Sequence, residues 1–330
     1  MAPTRKDLIE YKHAPTTVCI PIHIPTDQGY YQDALPVLQL CLESLRASTK
    51  VVGGQEKKID LMVLLQGCIP EVKQYVQNDI QPEFIIETPY NLGKVLSVKL
   101  MAMSAPGNYI CFADPDTYFY PGWLEAQLTL LAEFPPAIVS GWVTRYQMQR
   151  LNIFTLEWAK ADKEAKFSDG KLRSDIYEEE WARSVGRDIK SHLDIAGGLP
   201  DYLVEYKGLK AWCSNTHSQF MSNRALFWGI LAKLESEHTM REIEKLDFQT
   251  DDSNVLRLST YERVTRHIGN TPDQDLLEHA RITYGVNVRA PLINTKRRHD
   301  TGIYPLLLRF EITRQWIFKL YNWIYREISV

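Results

Sequence analysis

Cysteine is scarce in these 330 residues: Cys19, Cys41, Cys68, Cys111 and Cys213 are odd in number, scattered and set mostly in apolar runs. No CxxC pair and no His-rich tract occurs, which argues against a disulfide framework and against a zinc site. The five read as small core residues of a protein kept in a reducing compartment. Long apolar runs are missing as well. No stretch approaches the roughly 18 residues that a bilayer span needs, and the polar segment 1–15 lacks the apolar centre of a signal peptide. A cytoplasmic protein is expected. Nor is one sign of charge in excess: 38 Lys and Arg face 41 Asp and Glu, for a formal net charge of -3. With no overall basic field, nucleic acid is not the expected partner. What remains is an ordinary globular composition, 45% hydrophobic and 24% charged, long enough for one large domain or two smaller ones.

Apolar periodicity orders the chain. Thr16 to Pro25 predicts a buried strand, Leu35 to Arg46 a helix with Leu35, Leu38, Leu42 and Leu45 at helical spacing, and Ile59 to Leu65 a second strand. Gly53-Gly54 separates them. Pro70 to Asn78 reads as a helix with Pro at its start, Phe84 to Ile86 as a third strand, and Asn91-Leu92-Gly93-Lys94 as the opening of a helix through Ser104. Tyr109 to Ala113, the helix Pro121 to Phe134 and the strand Ala137 to Trp142 continue the alternation. Such alternation implies a mostly parallel sheet flanked by helices, with ligands beyond the carboxyl ends of its strands. Pro21, Gln66, Asn91 and Asp114 fall at those ends and should share one cleft. Residues 145–201 are charged and weakly patterned, and are expected to form helices and loops over the cleft, with Glu178-Glu179-Glu180 and Lys160 to Lys166 as solvated faces. Strand character resumes over Ala211 to Ser222, an amphipathic helix over Ala225 to Glu237, and a strand over Arg263 to Asn270.

Two acidic clusters carry the chemistry. Asp114-Pro115-Asp116 ends the strand of Tyr109 to Ala113, and alternate residues of extended chain share a face. The proline keeps the backbone extended, so both carboxylates suit a hard ion, Mg²⁺ or Mn²⁺, completed by substrate phosphates and water. An Asx-rich turn is the structural alternative. Leu246 to Asp252 brings Asp251-Asp252, predicted to open a helix through Ser259, where a helix-capping role competes with a catalytic one.

The order of these signals resembles the family-two inverting glycosyltransferases, which have the GT-A fold. Val18-Cys19-Ile20-Pro21-Ile22 with Leu42-Glu43-Ser44-Leu45 looks like the family's opening strand and helix, and Asn91-Leu92-Gly93-Lys94 like its Asn-x-Gly helix start. Asp114-Pro115-Asp116 stands where the family has its Asp-x-Asp motif, followed by Pro121-Gly122-Trp123-Leu124; Thr250-Asp251-Asp252 resembles the element holding the catalytic base, and His267 a downstream histidine near the metal or diphosphate. The resemblance covers roughly residues 16–270, and together the motifs are far more specific than any one of them. One departure stands out. Where the family usually has an acidic residue contacting the base, this chain has Leu65-Gln66-Gly67, so the donor nucleotide stays open.

The resemblance implies a catalytic domain over 16–270, after an N-terminal segment 1–15 and before a C-terminal helical extension 271–330. It implies transfer of a hexose-type sugar from a nucleotide-diphosphate donor to a hydroxyl of a saccharide, lipid-linked saccharide or similar acceptor, with inversion. Mn²⁺ or Mg²⁺ would sit on Asp116 with Asp114 and His267, stabilising the departing diphosphate. Asp114 would otherwise hold the ribose hydroxyls. Asp252 would be the base, with Asp251 as its alternative or orienter. Pro21, His23, Gln66, Asn91 and Lys94 would line the donor site, although His23 and Lys94 also suit packing and exposed helix positions, and His217 suits an acceptor pocket or a structural role. The tail 303–330 carries Leu306, Phe310, Ile317, Leu320 and Ile324 on one helical stripe flanked by Trp316 and Trp323. It fits packing on the domain or in a homo-oligomer, or a peripheral contact at the inner face of the plasma membrane, with Lys296-Arg297-Arg298 upstream. A nucleotidyltransferase is the competing enzyme class, but Pro21 to Thr26 is not the Gly-rich basic loop it needs. A catalytically inactive nucleotide-sugar-fold binding module is the non-enzymatic alternative.

Overall fold

The computed structural model describes residues 11–50, 58–149, 152–234 and 244–288. The Gly53-Gly54 break, Lys296-Arg297-Arg298 and the tail 303–330 lie outside them. The first half alternates as its hydrophobic pattern predicts: β1 (Thr16–Ile22), α1 (Ala34–Ser48), β2 (Ile59–Gln66), α2 (Pro70–Gln74), β3 (Phe84–Thr88), α3 (Lys94–Ser104), β4 (Tyr109–Ala113), β5 (Thr117–Phe119), α4 (Trp123–Glu133) and β6 (Ala137–Ser140). β1, β2 and β4 are aliphatic runs buried on both faces, as parallel strands between helix layers must be. Leu38, Leu42 and Leu45 turn one stripe of α1 fully into the core. Pro70 starts α2, where its missing N–H is no loss, and a π-helical turn (Tyr75–Ile80) extends it.

The second half runs α5 (Arg145–Met148), α6 (Ile153–Ala161), β7 (Ala165–Gly170), α7 (Ile176–Ser184), α8 (Ile189–Ala196), β8 (Asp201–Tyr206), β9 (Leu209–Trp212), β10 (Gln219–Asn223), α9 (Arg224–Leu231), α10 (Glu244–Asp252), β11 (Leu256–Thr260), β12 (Thr265–His267) and α11 (Gln274–Tyr284). Ten strands form one sheet in the order β3-β2-β1-β4-β10-β6-β11-β9-β8-β7, and β5 pairs with β12 in a small second sheet. The pairings give β3, β2, β1, β4, β6, β11 and β8 one direction, against which β10, β9 and β7 run. The sheet is thus mostly parallel, in the GT-A manner. Antiparallel β10 lies between β4 and β6, which brings the turn before it, residues 214–218, alongside Asp114.

Three expectations need correction. The segment 145–201 is not only helix and loop, because Ala165–Gly170 forms β7 and pairs with β8 along the sheet edge. Its outward residues are polar, which hid the strand. The Glu178-Glu179-Glu180 run is not a solvated face. Glu178 is buried and accepts from His192 Nε2 at 2.9 Å and from the Arg145 amide, while Glu180 pairs with Arg263 and Arg266. Asp251-Asp252 ends a helix rather than opening one. α10 stops at Asp252 because Asn254 takes a left-handed φ of 55°, a residue type suited to that helix-ending conformation. From Val255 the chain turns into the buried strand β11.

The five cysteines are all buried and free. Burial pushes the Cys111 and Cys213 thiols up to about 12, so they stay protonated and pack as small apolar groups.

Gly269 is where the inserted helices close onto the sheet. Its φ of +83° is left-handed, and a Cβ there would collide with the Ser184 carbonyl at the end of α7. Gly269→Ala is therefore expected to lower unfolding free energy by about 2 kcal/mol, read from the midpoint of a urea titration. An unchanged midpoint would show that α7 does not press on this strand.

Candidate active site

β4 releases the chain at Asp114, whose amide donates to Ser218 O at 2.7 Å, and the turn closes as Thr117 N donates to Asp114 O at 3.1 Å. β5 then pairs with β12, placing His267 opposite Thr117. Ile268 N donates to Asp116 O at 2.7 Å, so Asp116 and His267 are fixed side by side through their backbones. His267 Nε2 lies 3.0 Å from Asp116 Oδ2, and its Nδ1 lies 2.8 Å from Ser184 Oγ of α7. The other oxygen, Asp116 Oδ1, is shielded from solvent with no hydrogen-bond partner among the described residues.

Asp114 faces a different cation. Lys94, the first residue of α3, donates from Nζ to Asp114 Oδ1 and Oδ2 at 2.6 and 2.7 Å and to His217 O at 2.9 Å. It is not a freely exposed helix lysine. What aims it is a chain of backbone constraints: Gly93 takes φ 75° at the helix start, and its amide donates to Asn91 Oδ1 at 2.8 Å. Gln66, at the end of β2, accepts at Oε1 from Leu92 N and Ser97 Oγ, both at 2.9 Å. Its carbonyl accepts from His23 Nδ1 at 2.7 Å, and Pro21 lies two residues earlier, in register with Leu64 of β2. Pro21, His23, Gln66, Asn91, Lys94 and Asp114 thus occupy neighbouring strand ends.

The electrostatics follow from these pairings. Burial pushes Asp116 upward, yet His267 and Lys94 outweigh it and leave its carboxyl below the usual range. His267 is the mirror case: burial lowers it, Asp116 raises it more, and the net shift is upward. Burial dominates at Asp114 and raises it despite Lys94.

The second acidic cluster reaches the same region through His217. His217 Nε2 lies 2.8 Å from Asp247 Oδ2, and Asp247 Oδ1 pairs with Arg257 at 2.8 Å. Asp251 lies one turn further along α10, on the face of Asp247. Its Oδ2 accepts from Ile153 N at 3.1 Å, while its Oδ1 is shielded and unpartnered among the described residues. Burial raises its carboxyl above the usual range. Asp252, the next residue, points to solvent. Asp247, Arg257 and Ser184 escaped the sequence reading. The i, i+4 spacing of Asp247 and Asp251 was the available signal, obscured by the adjacent pair.

A divalent ion such as Mg²⁺ is commonly held by one or two carboxylates and completed by substrate phosphates. Asp116 Oδ1 is such a ligand oxygen, sheltered and unclaimed. Asp114 has both oxygens engaged, and among the described residues no group of three His, Cys, Asp or Glu side chains could hold an ion alone. The residues fit an ion on Asp116 finished by a ligand's phosphates, not a closed protein cage. Beside Asp116 lies a cavity of about 250 Å³, walled by His23, Tyr30, Tyr31 and Pro115. A roomier one of about 820 Å³ lies against the other end of α1, between Arg46 and Tyr284. We give it no part in the chemistry, since none of these acidic groups lines it.

The Asp116–His267 pair has a testable pH signature. His267 is raised, so its contribution to stability is complete below the ordinary histidine value of about 6.5 and fades as pH rises through the raised one. Asp116 is lowered, so its contribution holds above the ordinary aspartate value of about 3.9 and fades below. His267→Gln should cost about 2 kcal/mol between those limits. In thermal melts its deficit should be largest near pH 5–6 and shrink in alkali; a deficit independent of pH would mean the pair is not ionic.

Comparison with known proteins comes down to one domain model. The model of glycosyl transferase family 2 matches residues 30–185, just under half of the chain, including Lys94, Asp114 and Asp116. No curated protein sequence matches. Among solved structures, the 1–349 portion of TarS from S. aureus is 12% identical, with 74% of this chain and 60% of that one covered at a TM-score of 0.37. The same portion solved with UDP-GlcNAc is 14% identical over 38% of this chain and 33% of that one, at 0.30. The mannosyltransferase PcManGT from Pyrobaculum calidifontis, solved with GDP-Man and Mn²⁺, is 15% identical over 41% and 37%, at 0.31. The chain therefore spans between a third and three fifths of these structures, and the superpositions are loose. The domain match takes in the ends of β2 and β4, the helix that presents Lys94 and the paired aspartates, and over residues 30–185 this chain is similar to the glycosyl transferases of family 2.

Proposed function

We propose that this chain is a glycosyltransferase that moves a sugar from a nucleotide-diphosphate donor to a hydroxyl acceptor, with inversion at the anomeric carbon. The observation that carries the reading is the run of contacts Asp114–Lys94–His217–Asp247, which links the paired aspartates of the strand end to the acidic face of α10. A diphosphate leaving group needs positive charge beside it as the bond breaks, and an acceptor hydroxyl needs a base on the opposite side. Lys94 would answer the first requirement, and Asp251, one helical turn from Asp247, the second.

Asp116 would hold a Mg²⁺ or Mn²⁺ ion through Oδ1, and that ion, when bound, supplies Lewis-acid stabilisation of the diphosphate. The chain's own residues do the rest. His267, braced by Ser184, keeps Asp116 oriented, and the backbone bonds at Asp114 and Ile268 hold the strand end rigid. The aromatic cavity of His23, Tyr30 and Tyr31 offers ring faces beside the same carboxylate. Of the pair Asp251-Asp252, Asp251 suits the base better. Its free oxygen is shielded, and its raised carboxyl lies closer to neutral pH, where a base works best.

The test is a panel of nucleotide sugars assayed for hydrolysis and transfer with Mn²⁺. Asp251→Asn should cut kcat by about 10²–10⁴-fold while donor binding persists, and Asp252→Asn should leave most activity. Because Asp251 must be ionised to accept a proton and its carboxyl is raised, wild-type rates should fall on acidification at a higher pH than an ordinary aspartate would give. That acidic limb should vanish in Asp251→Asn. Loss of turnover with Asp252→Asn alone would return the role to Asp252, and absence of both binding and turnover across the panel would favour a binding module.

A further inference from the structure

Resting on that reading, we propose that Asp114 serves here as the anchor of Lys94 rather than as a metal ligand. The ammonium so held meets the donor's diphosphate and gives it affinity that needs no divalent ion. An ammonium has three donors, and all three are directed: two to Asp114 at 2.6 and 2.7 Å and one to His217 O at 2.9 Å. A second bond to the same carboxylate is redundant for positioning, so one N–H can turn to a phosphate oxygen while the other keeps the side chain in place. A metal on Asp114 would instead have to displace Lys94 from both oxygens and set two cations side by side.

Charge balance points the same way. Bare aspartates at 114 and 116 would repel a diphosphate, and a recruited cation would then be obligatory. Asp114 instead has a cation from the chain, Lys94 at 2.6 Å, while the His267 ring lies against Asp116 Oδ2 at 3.0 Å. Lys94 thus offsets part of that repulsion before any metal arrives. Lys94 keeps 32% of its side chain exposed, so a ligand reaches it from solvent. Asp114 acts through Lys94 and is a positioning residue.

Calorimetric titration of uridine, guanosine, cytidine and adenosine diphosphates into the full chain, in EDTA and in Mn²⁺, tests this. Wild type should bind one of them in EDTA within about tenfold of its Mn²⁺ affinity, and Lys94→Met should weaken that binding by at least about tenfold. Lys94→Arg should recover part of it. Asp114→Asn should weaken binding in the wild-type background and add nothing in Lys94→Met, the coupling expected of residues acting as a unit. The double variant removes both charges together, which guards against an unpaired buried group. Bound Mn²⁺, counted by electron paramagnetic resonance with the diphosphate present, should survive Asp114→Asn and be lost in Asp116→Asn. Loss of wild-type binding in EDTA, or loss of Mn²⁺ in Asp114→Asn, overturns the proposal while leaving the donor class intact. Failure of every diphosphate to bind even with Mn²⁺ overturns the nucleotide-sugar reading as well.

Discussion

Two carboxylates two residues apart at the end of one strand are the constraint around which this molecule is arranged. Neither is free in water, and together they repel, so each needs a fixed positive partner close by. Lys94 comes from the start of α3, the helix just before β4, whereas His267 comes from β12, far along the chain. Much of the surrounding structure keeps those two partners in place. Gly93 and Asn91 set the helix start, Gln66 ties it to β2, and Ser184 braces the imidazole from the inserted helices.

The sheet explains how such distant groups arrive together. Its parallel strands put several carboxyl ends on one rim. Antiparallel β10, slipped between β4 and β6, brings the 214–218 turn onto that rim. His217 then faces two ways: its carbonyl takes Lys94, and its ring takes Asp247 of α10. A buried Asp247 shared between a histidine and Arg257 would be costly alone, and the two partners offset its desolvation. The strand ends and α10 are thus joined by one continuous polar chain rather than standing as isolated motifs.

Much of this was legible in the sequence, and for particular reasons. The aliphatic runs of β1, β2 and β4 announce buried parallel strands, and the Asp-Pro-Asp ending marks its strand end because extended chain puts alternate residues on one face. His267 was expected beside the paired aspartates by family resemblance, and its strand does bring it to Asp116. Lys94 was expected at the donor site, but its pairing with Asp114 was not legible, since an i to i+20 ion pair leaves no local pattern. Glu178 and Glu180 misled for a like reason: a run of like charges reads as solvated unless its partners, here His192 and the Arg145 amide for Glu178 and Arg263 and Arg266 for Glu180, are known to fold back on it. At α10 two adjacent aspartates suggested a helix start, whereas Asn254 just beyond them was the better guide. Tertiary partners decided the cases of Lys94 and the glutamates, and a local helix-ending residue that of α10.

The strand that local patterning missed also shapes how the molecule meets its own copies. Among the described residues the ten-stranded sheet ends at β3 and β7, and an unpaired border invites another chain to add a strand. β7 answers with a short, polar stretch, Ala165-Lys166-Phe167-Ser168-Asp169-Gly170, whose Lys166 side chain is 79% exposed and leans to Glu205. β3 is only five residues long and sets Glu87 against Lys73. Charge and brevity at both of these borders disfavour edge-to-edge stacking of one copy on the next.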